Sequence, residues 1–161
     1  MSEVDKLLSD GLTSGYAGKA ERQATQHGPF KFESSQFQTP EGDIYLDDWL
    51  ANRTGGGQEI AKSGENTSTR LYGGGTIRLE ELSELGLTKK DVTGYLKKKI
   101  SEQGPKTRLF KDCEPESDGD WQYKYKINSV MSEIPLTVGM ETISFQGKMV
   151  FAHAFILTTV E

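Results

Sequence analysis

Apolar residues recur along the chain in two rhythms. A helical spacing marks Val4, Leu7 and Leu8, and again Val92, Leu96 and Ile100 with Tyr95 beside them. Strand alternation is clearest from Trp121 to Val130, where Trp121, Tyr123, Tyr125 and Ile127 share one face and Lys124 and Lys126 the other. Capping boxes sharpen both helices. Ser2 stands three residues before Asp5, and Thr88 three residues before Asp91. The pattern predicts a short first helix ending near Gly11 and a middle helix from about Lys89 to about Glu102. Gly104 stops that helix and Pro105 forbids its continuation. Leu79 to Leu85 reads as a short helix before it.

Strands are predicted at Ile44–Leu50, Gln58–Lys62 and Thr67–Tyr72, with Gly55-Gly56-Gly57 and Gly73-Gly74-Gly75 as breaks. A second set follows at Trp121–Val130, Thr137–Phe145 and Lys148–Val160. Residues 13–40 read as a long connection with a strand around Phe30 to Phe37. On the last strand, Met149, Phe151, His153, Phe155 and Leu157 form a bulky face, and Val150, Ala152, Ala154 and Ile156 a small one suited to close approach of a helix.

The two strand sets repeat one series. Gly42-Asp43-Ile44-Tyr45, Gly57-Gln58-Glu59-Ile60, Gly64 and Arg70-Leu71-Tyr72 return as Gly119-Asp120-Trp121, Gly139-Met140-Glu141-Thr142-Ile143, Gly147 and His153-Ala154-Phe155. The reading is a single α+β domain over 1–161 with pseudo-repeats at about 42–77 and 119–160. Each repeat is a helix plus three antiparallel strands, and together they form a mainly antiparallel sheet covered by helices.

These motifs resemble an uncharacterised prokaryotic domain family. It has a Thr-Tyr-Ala-Gly-like segment, a Gly-Asp turn before a Tyr/Asp-rich strand, a Gly-x-Glu strand and an aromatic-Gly strand end, then the same again. The matches are Ser14-Gly15-Tyr16-Ala17-Gly18, Gly42-Asp43-Ile44-Tyr45-Leu46-Asp47, Gly57-Gln58-Glu59 and Leu71-Tyr72-Gly73, then Pro105-Lys106-Thr107-Arg108, Gly119 to Tyr123 and Gly139 to Ile143. The likeness spans roughly 4–160. It departs at Thr67 to Thr69, where that family carries a tryptophan. Fusion of some relatives to helix-turn-helix regulators implies ligand sensing.

Composition narrows the function classes. The chain has 161 residues and a net charge of −5, which argues against nucleic acid as a partner. Residues 89–111 are a basic island of eight basic and two acidic groups, with Lys89, Lys90, Lys97, Lys98 and Lys99 on or beside the middle helix. That face suits either solvent or an acidic partner. Cys113 is the only cysteine, so an internal disulfide and a cysteine zinc site are excluded. The polar N-terminus lacks the apolar core of a signal peptide, and no apolar run is long enough for a bilayer. The expected setting is the cytoplasm, away from membranes. No cofactor fingerprint and no metal motif is present. Glu114, Glu116 and Asp118 fit the start of a calcium loop, but Tyr125 stands where its final glutamate belongs.

The candidate site follows from the repeat. Glu59 and Glu141 hold equivalent places, as do Arg70 and His153, and Tyr72 and Phe155. Two neighbouring carboxylates push one pKa up and suit acid–base work; each glutamate could equally pair with a cation. His153, in an apolar strand, is a core residue or the polar group of a ligand pocket. The leading expectation is a non-enzymatic small-ligand-binding or effector-sensing module with Glu59, Arg70, Tyr72, Glu141, His153 and Phe155 around a shared cleft. The alternatives are a hydrolase or lyase with Glu59 or Glu141 as general base, and an interaction module with a basic helix.

Overall fold

The structure, a computed structural model, describes residues 2–18 and 22–160. Residues 19–21, within the connection read as 13–40, lie outside the described residues. Helix α1 spans Glu3–Ser14. Five strands follow: β1 Arg22–His27, β2 Phe30–Gln38, β3 Ile44–Ala51, β4 Thr54–Ser63 and β5 Asn66–Thr76. Helices α2 Leu79–Glu84 and α3 Lys89–Gln103 lead through a 3-10 turn at Gly104–Lys106 to β6 Trp121–Met131, β7 Leu136–Phe145 and β8 Lys148–Val160. The eight strands form one antiparallel sheet in the order β1-β2-β3-β4-β5-β8-β7-β6. The fold is α+β, as the hydrophobic pattern predicts.

Sequential hairpins build each side of the sheet, because antiparallel neighbours need only short turns. The helical excursion after β5 carries the chain to the far edge, and β6–β7–β8 then returns to meet β5. Both capping boxes form: Ser2 with Asp5, and Thr88 with Asp91. The α3 stripe of Val92, Leu96 and Ile100 is buried.

Three sequence expectations change. Helix α1 runs through Gly11 to Ser14, because Gly11 lies against the Tyr45 ring; an added Cβ would come within 2.1 Å of Tyr45 Cγ. The sheet has eight strands rather than six. The strand expected around Phe30 to Phe37 is β2, and β1 pairs with it at the sheet edge; β1 has no buried residue, so alternation could not reveal it. The glycine runs are not breaks. Gly55–Gly57 belongs to β4 and Gly73–Gly75 to β5. Gly74 sits at φ +146°, and a Cβ there would meet the Ala152 carbonyl oxygen at 2.0 Å. Glycine thus lets β5 continue beside β8.

The core lies on the bulky face of the strands. Helix α1 packs on β3, β4 and β5, and the apolar stripes of α1 and α3 join one buried cluster with Tyr45, Tyr123, Ile143 and Phe155. A register shift near the start of β8 buries Val150 and exposes Met149; beyond it the small face does not receive a helix, since Ile156 is 43% exposed and pairs with Leu71, itself exposed. The described residues include no helix long and apolar enough to cross a membrane.

Candidate functional site

Strand register places the chemistry. One inward-facing row runs Asp47–Glu59–Arg70–Leu157–Thr137 across β3, β4, β5, β8 and β7. Another runs Ala51–Gly55–Gly74–His153–Glu141–Tyr125 from β3 to β6. Between them lies Trp49–Gly57–Tyr72–Phe155–Gly139–Ile127.

Each glutamate is clamped by an arginine and a tyrosine. Arg70 donates to Glu59 through Nε at 2.5 Å and Nη2 at 2.7 Å, and Tyr45 Oη donates at 2.6 Å. Arg108 donates to Glu141 through Nε at 2.9 Å and Nη2 at 2.7 Å, and Tyr123 Oη donates at 2.7 Å. Burial alone would raise both carboxyls, but the guanidinium charge and its paired hydrogen bonds win and hold each below the usual carboxylate range. The clamps are joined, since Arg70 Nη1 donates to the Arg108 carbonyl at 2.8 Å. Phe155 lies between the guanidiniums, 6.0 Å from that of Arg70 and 4.8 Å from that of Arg108.

Arg108 comes from the irregular segment after the 3-10 turn. Its φ of +61° is unusual for a side chain of this size. Partners on every side hold it: Arg70 takes its carbonyl, Thr107 contacts Tyr123, and Tyr125 Oη donates to the Leu109 carbonyl at 2.8 Å.

A cleft of about 260 Å³ opens between α3 and the β3–β5 and β8 surface. Asp47, Arg108 and His153 form its polar interior, and Tyr16, Trp49, Tyr72 and Phe151 supply aromatic wall. Arg22, Lys89 and Lys97 stand at it as well. Arg22 lies over the Trp49 ring at 5.5 Å, and Lys97 over the Tyr16 ring at 5.1 Å.

Two groups in this cleft depart far from their ordinary protonation. Burial, then the Glu59 charge across the strand pair, pushes the Asp47 carboxyl up to about 8; the Tyr72 hydroxyl, donating to Oδ1 at 2.9 Å, opposes this. Burial lowers His153 to about 4 against the pull of Glu141, so its ring is neutral near pH 7. Its Nδ1 is buried without a hydrogen-bond partner among the described residues, 4.0 Å from a Glu141 oxygen. A proton on Nδ1 faces that carboxylate favourably, which leaves Nε2 as the acceptor nitrogen.

Of the residues expected at a shared cleft, Tyr72 and His153 line it. Glu59, Arg70, Glu141 and Phe155 lie beneath it in the buried network, and the two glutamates do not share a cavity wall. Asp47 and Arg108 are the functional candidates that the repeat pattern passed over. Asp47 had a signal, because it shares the inward face of β3 with Tyr45 and Trp49. Arg108 appears only as the end of the Pro105-Lys106-Thr107-Arg108 match, and its place at the cleft depends on a long irregular path. The basic helix is partly spoken for: Lys98 pairs with Asp118 and buried Lys99 with Glu102. Among the described residues, no group of three or more histidine, cysteine, aspartate or glutamate side chains is placed to hold a metal.

No protein family, curated protein or solved structure matches this chain.

Proposed function

We propose that this chain is a non-enzymatic small-ligand-binding, effector-sensing module, and that its ligand is an organic anion held in the cleft beside α3. One observation carries the reading. In a protein of net charge −5, five cationic and two acidic side chains among the described residues line this cleft. Concave, poorly solvated walls concentrate such a field and draw anions inward. The aromatic walls add a surface for a planar body, and the volume lies near the lower end of small-molecule sites, about 300 Å³.

The architecture supports a duplicated origin for the site. Tyr72 and Phe155 are equivalent in the two sequence series and sit opposite one another in the β5–β8 pair. Arg70 faces Leu157 and Gly74 faces His153, which is the reciprocal pairing that two copies related by a two-fold axis require. On this reading the second copy gave up its strand arginine for His153 and drew Arg108 from the connecting segment. That exchange brought a guanidinium and a neutral imidazole to the cleft.

A hydrolytic or lyase role for Glu59 or Glu141 lacks support from this arrangement. A general base needs an oxygen within reach of its substrate, and these carboxylates are enclosed by their own arginine and tyrosine partners. The test is calorimetric titration with benzoate and its neutral analogue benzamide, at about 0.05 M and about 0.5 M salt. Benzoate should bind at least tenfold more tightly than benzamide, lose affinity in high salt, and bind several-fold more weakly to Lys97→Gln. Equal binding of benzamide, or no benzoate binding, contradicts the anion reading. Conversion of the bound anion to product would replace the sensor with an enzyme.

A further inference from the structure

Asp47 and Glu59 are direct cross-strand partners, both buried. Arg70 and Arg108 act on both, but only Glu59 is paired directly: it accepts from two nitrogens of the Arg70 guanidinium and from the Tyr45 hydroxyl. Asp47 has no ion-pair partner among the described residues; its one hydrogen bond is from Tyr72 to Oδ1. Two adjacent buried carboxyls do not both ionise when only one is compensated, so the proton resides on Asp47. With Oδ1 already an acceptor, that proton belongs on Oδ2. Arg108 is similar in kind. Its Nε and Nη2 are committed to Glu141, while Nη1 has no partner among the described residues. Both side chains line the cleft.

Building on the anion-binding reading, we infer that the cleft selects an organic carboxylate, one oxygen accepting from the protonated Asp47 carboxyl and the other from Arg108 Nη1. The pairing is an acid–carboxylate hydrogen bond beside a guanidinium, and each ligand oxygen receives one strong donor. A phosphate asks for more donors, usually backbone amides. Here the glycines that line the cleft belong to β4 and β5 and lie in the sheet ladder, and the Thr88–Asp91 capping box closes the α3 N-terminus. His153 Nε2 remains to accept from a donor elsewhere on the ligand.

Proton retention on Asp47 is then part of binding. The groups acting on Asp47 are Tyr45 on its own strand, Glu59 on β4, Arg70 and Tyr72 on β5, Arg108 on the connecting segment, and Tyr16 after α1. Glu59 is the only ordinarily anionic one. A bound carboxylate adds a second negative neighbour and strengthens the hold on the proton. Above the pH at which free Asp47 ionises, binding must take up one proton, and affinity falls about tenfold per pH unit.

The experiment is calorimetric titration of the full chain with benzoate and with phenyl phosphate across about pH 6 to about pH 9.5, on wild type and Asp47→Asn. A parallel 13C titration of the Asp47 carboxyl in wild-type protein, with and without benzoate, does not depend on the variant folding. Benzoate affinity should be level below about pH 8 and then fall about tenfold per unit in wild type. It should be independent of pH in Asp47→Asn, and at least tenfold greater than that of phenyl phosphate near pH 7. The Asp47 carboxyl should titrate near pH 8 alone and higher with benzoate. The inference is overturned by an Asp47 already ionised near pH 6, by pH-independent binding to wild type, by the same slope in Asp47→Asn, or by tighter binding of phenyl phosphate. Those results leave the anion cleft standing. Failure of benzoate to bind even near pH 6 removes both.

Discussion

The Glu59 and Glu141 clamps use the same parts and differ in where the arginine comes from. In the first half, Arg70 stands beside Glu59 on the neighbouring strand and is wholly enclosed. In the second, the neighbouring strand offers His153, and Arg108 reaches in from an irregular segment. Beyond Glu59 the next residue in register is Asp47; beyond Glu141 it is Tyr125, whose hydroxyl ties down Leu109. The first arrangement puts a spare carboxyl beside a satisfied one, and the second spends its polar group on the connecting segment. The lesson is that a carboxylate clamp repeated in register can be structural in both places, while its differing neighbours leave an uncompensated carboxyl beside only one of them.

Removing the arginines should give the largest effect. Arg70→Met strands a buried glutamate and frees the Arg108 carbonyl, costing about 3–5 kcal/mol in urea denaturation. Arg108→Met should cost less, because its side chain borders the cleft and water can reach the vacancy. The reverse order would show that enclosure of the arginine does not set the cost of losing it.

Asp47→Asn should come next. Because the folded carboxyl is raised to about 8 from an ordinary 3.8, the folded state holds a proton that the unfolded state has lost. Wild-type stability therefore falls as pH rises from about 4 to about 8, then levels, at up to about 1.4 kcal/mol per pH unit. His153 runs the other way, giving stability that is lost on acidification from about 6.5 toward about 4, so the window from about pH 7 to about pH 8 isolates Asp47. Urea midpoints there should drop in wild type and hold in Asp47→Asn. Parallel behaviour of the two proteins would mean Asp47 is ionised throughout.

Tyr125→Phe should have the smallest effect, about 1 kcal/mol, the usual net worth of one hydrogen bond. Hydrogen exchange should rise in the 107–112 segment while the Glu59 side of the sheet is unchanged. Equal loosening of both sides would show that the segment does not belong to one clamp.

Much of the fold was legible because local signals agreed with the tertiary outcome. Thr88, Asp91 and Gly104 bracket α3, and Val92, Leu96 and Ile100 face the core as their spacing requires. The aromatic alternation of β6 did the same. Polar β1 hid because a strand that buries nothing has no period. The glycine strands hid because close approach between β4, β5 and β8, rather than a turn, calls for glycine there. The paired positions of Glu59 and Glu141 were also legible, but their enclosure was not, since it depends on Tyr45, Tyr123 and the distant Arg108. The cleft itself needs α3 laid beside Asp47 and His153, a juxtaposition of residues far apart in the chain.

The most direct measurement is a crystal structure of the protein grown with benzoate near pH 7. A carboxylate is expected in the cleft beside α3, its oxygens about 2.5–3.2 Å from Asp47 Oδ2 and Arg108 Nη1, with both glutamate clamps unchanged. Benzoate elsewhere on the molecule, or in the cleft with its carboxylate turned away from both groups, would contradict this placement.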